Sequence, residues 1–128
     1  MSKFSFSAAL INSDKALKAA LEIYKFKEDN MYVIYCPALD LSAYGRTEEE
    51  VESEFGKVFR IHITYCLNKN TLAEDLRNHG WSFKSLNQKK IKAPTIEEML
   101  QKNELLRDII YNKDYVKKSE CVEIPQMA

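Results

Sequence analysis

The chain has 128 residues, which suits one domain with a small appendage and buries about two thirds of its unfolded surface without covalent staples. It carries 19 basic and 19 acidic residues, a formal net charge of zero. That balance excludes bulk electrostatic attraction to nucleic acid and leaves only a local basic patch as such a route. No run approaches the roughly 20 apolar residues of a membrane span, and residues 1–13 lack a signal-peptide pattern. The expectation is a cytoplasmic protein without membrane contact.

Three cysteines, Cys36, Cys66 and Cys121, form no CxxC pair and are odd in number. His62 and His79 show no ligand spacing with them, so reduced thiols are expected, with no metal and no cofactor.

Residues 1–14 alternate Phe4, Phe6 and Ala8 with Ser5 and Ser7, a strand period that ends at the turn formers Asn12, Ser13 and Asp14. They read as an extra edge strand or an arm. Residues 16–21 favour helix by propensity, whereas residues 21–27 alternate and read as a strand. Glu28-Asp29-Asn30 predicts a hairpin turn into Met31–Tyr35, a β-branched and aromatic run expected to be covered on both sides. Pro37 cannot donate in a ladder and ends that strand. A third antiparallel strand follows over Leu41–Tyr44, and Gly45 is expected in a backbone conformation closed to most residues.

Thr47-Glu48-Glu49-Glu50 is a capping box, with three acids at the positive end of a helix dipole. Val51, Phe55, Val58, Phe59 and His62 then make a helical stripe that reaches Leu67, about 30 Å at 1.5 Å per residue. Gly56 inside it implies close packing. Thr71-Leu72-Ala73-Glu74 repeats the capping pattern, Leu72 and Leu76 point inward, and Gly80 is the stop. Trp81, Phe83 and Leu86 predict a fourth strand. Lys84, Lys89, Lys90 and Lys92 mark a basic linker closed by Pro94. Thr95-Ile96-Glu97-Glu98 is a third capping box. It opens one helix whose apolar face (Ile96, Met99, Leu100, Leu106, Ile109 and Ile110) must dock on its own domain or on a second subunit. The tail from Asn112 is polar, with two extended pieces.

The fold class expected is α+β: a three-stranded antiparallel sheet packed by a long helix, in the order β-β-β-α-α-β, plus a C-terminal helix. Residues 1–86 form the domain, and residues 87–128 the basic linker, C-terminal helix and tail.

No catalytic set emerges. A metal-dependent nuclease needs clustered carboxylates, and the strands offer only Glu22, with Asp40 beyond a strand end. The acids Glu48, Glu49 and Glu50 are explained by capping. His62 lies on the apolar stripe and has no evident nucleophile partner; His79 suits a helix C-terminus. Cys36 has no base beside it. The four lysines are the candidate nucleic-acid contact, although a solvated linker explains them as well. Trp81 and Tyr44 are candidates for partner contact, with core packing as the plainer account of Trp81.

Residues 32–39 (YVIYCPAL) through residues 42–50 (SAYGRTEEE) resemble the HicB antitoxin family: a strand ending in a proline turn, a short strand reaching a Gly-any-Thr step, and glutamates opening a helix. The resemblance spans residues 21–67, about a third of the chain. Asp40-Leu41 stands where many members carry a glycine-containing turn. The resemblance implies a truncated ribonuclease H-like fold without the nuclease carboxylates. It also implies binding to a small HicA-type ribonuclease toxin; Asp40, Tyr44, Arg46 and Trp81 are the candidate partner-binding residues. Many members add a C-terminal DNA-binding segment. Residues 91–128 offer one clear helix and no helix-turn-helix pair, so that helix is expected to mediate a homodimer or toxin contact. The alternatives are a DNA-binding autoregulator and a stand-alone HicB-like interaction protein without a toxin.

Overall fold

The computed structural model describes residues 16–82 and 92–125 of the chain. Eight elements follow one another: β1 (Ala16–Glu28), β2 (Met31–Cys36), β3 (Leu41–Gly45), α1 (Glu48–Lys69), α2 (Leu72–Asn78), α3 (Ile96–Lys102), α4 (Glu104–Asn112) and β4 (Tyr115–Pro125). The strands make one four-stranded antiparallel sheet in the order β3-β2-β1-β4. The α+β class and the β-β-β-α opening agree with the sequence reading.

Strand periodicity divides the central strands between two cores. Leu21 and Ile23 of β1, Ile34 and Cys36 of β2 and Ala43 of β3 face α1, where Val51, Phe55, Phe59, Ile63 and Cys66 are buried. Tyr24, Phe26, Val33 and Tyr35 face the other way, against Leu106 and Ile109 of α4. Met99 of α3 packs against both cores.

Local chemistry explains the turns. Asp29 and Asn30 both adopt left-handed backbone, φ 54° and 67°, between the paired residues Glu28 and Met31. Asp and Asn tolerate that conformation, and two such residues match the twist of a two-residue hairpin. The β2–β3 turn places Asp40 at φ 54°, so the residue that stands in for glycine takes up the glycine-like conformation itself. Gly45 differs from the expectation. Its backbone is not left-handed; instead β3 runs so close to α1 that a Cβ there would sit 2.4 Å from the Val51 amide nitrogen.

At the start of α1, Thr47 Oγ1 accepts from the Glu50 amide at 3.0 Å. Glu50 Oε1 reaches one residue further back than a capping box requires, to the Arg46 amide. The Thr95 box forms completely. The Thr71 box does not: Thr71 has φ −116° and ψ 9° and makes no side-chain cap hydrogen bond.

Three expectations are corrected. The helix propensity of residues 16–21 loses to pairing, since β1 is extended from Ala16 and is matched to β4 from Ala16↔Pro125 to Phe26↔Tyr115. The fourth strand of the sheet comes from the tail. Trp81 lies in coil, and only an isolated bridge, Ser82↔Lys92, follows it; Phe83 and Leu86 lie outside the described residues, as does the arm or edge strand read over residues 1–14. The single C-terminal helix is two, broken at Asn103, whose side chain accepts from the Leu106 amide and starts α4. Its apolar face, the basis for expecting a homodimer, covers the chain's own sheet through Leu106 and Ile109.

Among the described residues Lys25 is the one charged residue that is buried, 9% exposed. It projects to the α1 face, where Glu48 (3.1 Å) and Glu52 (3.4 Å) accept from its ammonium. Burial pulls the Lys25 pKa down, but the two carboxylates outweigh it and hold it above its ordinary 10.5. A raised lysine pKa contributes stability in full below the ordinary value and loses it as pH climbs through the folded one. In Lys25→Met the fall in stability at pH above 10.5, followed by urea denaturation across alkaline pH, is expected to be shallower than in the natural chain. Gly45→Ala is expected to cost about 3 kcal/mol, because the Val51 backbone has no room to yield; the same denaturation curves measure it.

Candidate functional site

A cleft of about 1150 Å³ lies between the β2–β3 turn, the end of α2, and the α3–α4 junction. Pro37 and Asp40 form one wall, His79 and Gly80 a second, and Met99 and Asn103 a third. Arg77, Lys102 and Arg107 are interleaved around it with Glu98 and Glu104. Such a polar, mixed-charge lining suits a peptide or protein loop better than an apolar small molecule.

One hydrogen-bonded node ties the walls together. The Tyr35 hydroxyl donates to Asp40 Oδ1 at 2.8 Å and accepts from Asn103 Nδ2 at 2.8 Å. Asn103 Oδ1 meanwhile accepts from the Leu106 amide at 2.9 Å. Burial raises the Tyr35 pKa well above the usual range; the Asn103 contact opposes this and Asp40 adds to it. The phenol therefore stays neutral and donates at any physiological pH. Arg107 Nη1 donates to the Leu100 carbonyl, 2.6 Å away, closing the α3–α4 corner.

The predicted partner residues separate into two groups. Tyr44 lies on β3, an edge strand, with Asp40 in the turn just before it and Arg46 just after it; all three are exposed, Tyr44 at 58%. Trp81 is corrected. It is 3% exposed, and its indole N–H donates to the Ala38 carbonyl at 2.8 Å. It holds the turn that presents Asp40 and offers no surface of its own. Of the lysines, Lys92 is exposed, while Lys84, Lys89 and Lys90 lie outside the described residues.

Cys36 is fully buried, and burial pushes its thiol up to about 12, against the opposing pull of the Leu39 and Ala38 amides. That is the wrong direction for a nucleophile.

A second cluster was missed in the sequence. His62 Nε2 lies 2.9 Å from Asp75 Oδ2 and 3.8 Å from Cys66 Sγ. His79 Nδ1 lies 2.8 Å from the Asp75 carbonyl and 3.7 Å from Asp75 Oδ2. Burial raises the Cys66 thiol pKa, the Asp75 charge adds to it, and Thr71 opposes both. The signal was present: His62 and Cys66 are four residues apart on α1, and Asp75 and His79 repeat that spacing at α2, so each pair shares a face.

No family model, curated protein or solved structure matches the chain.

The Tyr35–Asp40–Asn103 node generates a stability prediction. Tyr35→Phe and Asn103→Ala are each expected to destabilise by about 1–2 kcal/mol, the second also losing the α4 cap. Combined, they are expected to cost less than their sum by about 1 kcal/mol, the coupling expected of two directly bonded groups; a urea double-mutant cycle measures it.

Proposed function

We propose that this chain is a HicB-like, non-catalytic antitoxin that binds and neutralises a small HicA-type ribonuclease. The observation that carries the reading is the order of devices from Tyr32 to Glu50: strand, proline turn, short strand, Gly-any-Thr step and acid-opened helix. In the fold these residues form β2, β3 and the start of α1, a contiguous unit at one edge of the sheet.

Chemistry at that edge supports the proposal. Tyr44 and Arg46 are exposed on or just beyond β3, and Glu48, Glu49 and Glu50 are exposed at the neighbouring start of α1. An aromatic and an arginine are the residue types that anchor interfaces. The acids complement a basic nuclease and speed its capture. Asp40 begins the same edge and faces the cleft. A nuclease of the ribonuclease H type would cluster acids at strand centres to hold metal; here the sheet face toward α1 carries the cation Lys25, neutralised by Glu48 and Glu52. A truncated ribonuclease H-like fold is the corresponding structural proposal.

Co-expression with the short basic reading frame beside the gene tests it. A stable complex and relief of toxicity are expected. Tyr44→Ala combined with Arg46→Glu should weaken the complex by roughly 100-fold or more, as loss of two anchors does, while thermal unfolding changes little because both side chains are exposed. A toxic neighbour that neither binds nor is neutralised would overturn the proposal.

A further inference from the structure

The four side chains His62, Cys66, Asp75 and His79 take no part in the cleft node or the β3 edge. We propose that they form a zinc site that fastens the C-terminal half of α1 to α2. The ligating atoms of His62, Cys66 and Asp75 already lie within 4.8 Å of one another; His79 stands outside that group, beside Asp75, with Nδ1 3.7 Å from Oδ2. Tetrahedral zinc with bonds of 2.0–2.3 Å sets its ligand atoms roughly 3.4–3.7 Å apart. The His62–Cys66 separation of 3.8 Å and the His79–Asp75 separation of 3.7 Å are close to edges of that tetrahedron. The His62–Asp75 hydrogen bond, 2.9 Å, opens by about half an ångström to become a third edge. His79 completes the set by exchanging its hydrogen bond to the Asp75 carbonyl for the metal.

The donor set selects the ion class. A thiolate and two imidazoles exclude magnesium and calcium, which demand oxygen, and suit a borderline-soft divalent ion such as zinc. The thiol and the Asp75 carboxyl must be deprotonated in the metal-bound state, so binding releases the cysteine proton. The same residues do not form a Cys-His-Asp relay. A relay needs the thiol on one ring nitrogen and the carboxylate on the other, whereas Cys66 and Asp75 both approach His62 Nε2. Convergence on one point is what chelation requires. Because Arg77, His79 and Gly80 line the cleft, the ion would also set the position of that wall.

The test uses the full chain without an affinity tag, freed of metal by chelator and titrated with cobalt(II). The expected result is saturation at one equivalent, with the intense visible bands of tetrahedral cobalt and a thiolate-to-cobalt charge-transfer absorption, all displaced by zinc. Cys66→Ser should abolish the charge-transfer absorption, whereas Cys36→Ser and Cys121→Ser should keep it. His79→Asn should weaken cobalt binding by roughly 100-fold. Circular dichroism in chelator establishes that each variant folds; if Cys66→Ser does not, the folded His79→Asn variant decides. Absence of the charge-transfer absorption in the natural chain, its retention in folded Cys66→Ser, or undiminished affinity in His79→Asn would each overturn the proposal.

Discussion

Over residues 23–26 and 33–36 the two central strands of this sheet are buried on both faces. Tyr24, Phe26, Val33 and Tyr35 are as buried as Leu21, Ile23 and Ile34 on the opposite side, so both faces of β1 and β2 need a cover. α1 covers one face, and the chain must return to cover the other. That requirement explains the break at Asn103. One straight helix over residues 95–111 could not both close the cleft corner and lay Leu106 and Ile109 on the sheet. Asn103 ends the first helix, starts the second and bonds to Tyr35 across the gap. The cleft is the space left where the cover turns this corner, and its polar character follows from the groups that make the turn.

Much of the first half was legible in the sequence because local signals agreed there. The Asp29-Asn30 hairpin, the Pro37 stop, the Thr47 cap and the α1 stripe are each short-range, and each points to the same arrangement. The second half was less legible because its structure depends on distant pairing. Residues 16–21 have helix propensity, and the tail from Asn112 is polar; each becomes a strand only beside the other. Gly45 was singled out for the right position and the wrong reason, since close approach to a helix backbone leaves no periodic trace.

The candidate sites divide in the same way. Asp40, Tyr44 and Arg46 sit close together in the sequence, and the structure keeps them exposed on β3 and at its two ends. Trp81 was read both as a core residue and as a partner contact; its alternation with Phe83 could not show that its indole was committed to the Ala38 carbonyl. His62 was assigned to the apolar stripe. Its partner Cys66 lay one helical turn away, but Asp75 and His79 approach only because Asn70, at φ 57°, reverses the chain between α1 and α2. A left-handed helix cap followed by a return is a tertiary event written in a single asparagine.

The register between β1 and β4 has a consequence for how the chain reaches this state. The paired residues are roughly 90 to 110 positions apart in sequence, so the strand nearest the start of the fold waits for the last strand to be made. Until then β1 presents an unpaired edge along residues 16–23, which among the described residues have no other sheet neighbour, since its ladder with β2 runs only from Tyr24 to Glu28. Folding is thus limited by one long loop closure. On the ribosome the nascent chain holds an open strand edge until β4 emerges, the interval in which strand edges recruit other chains.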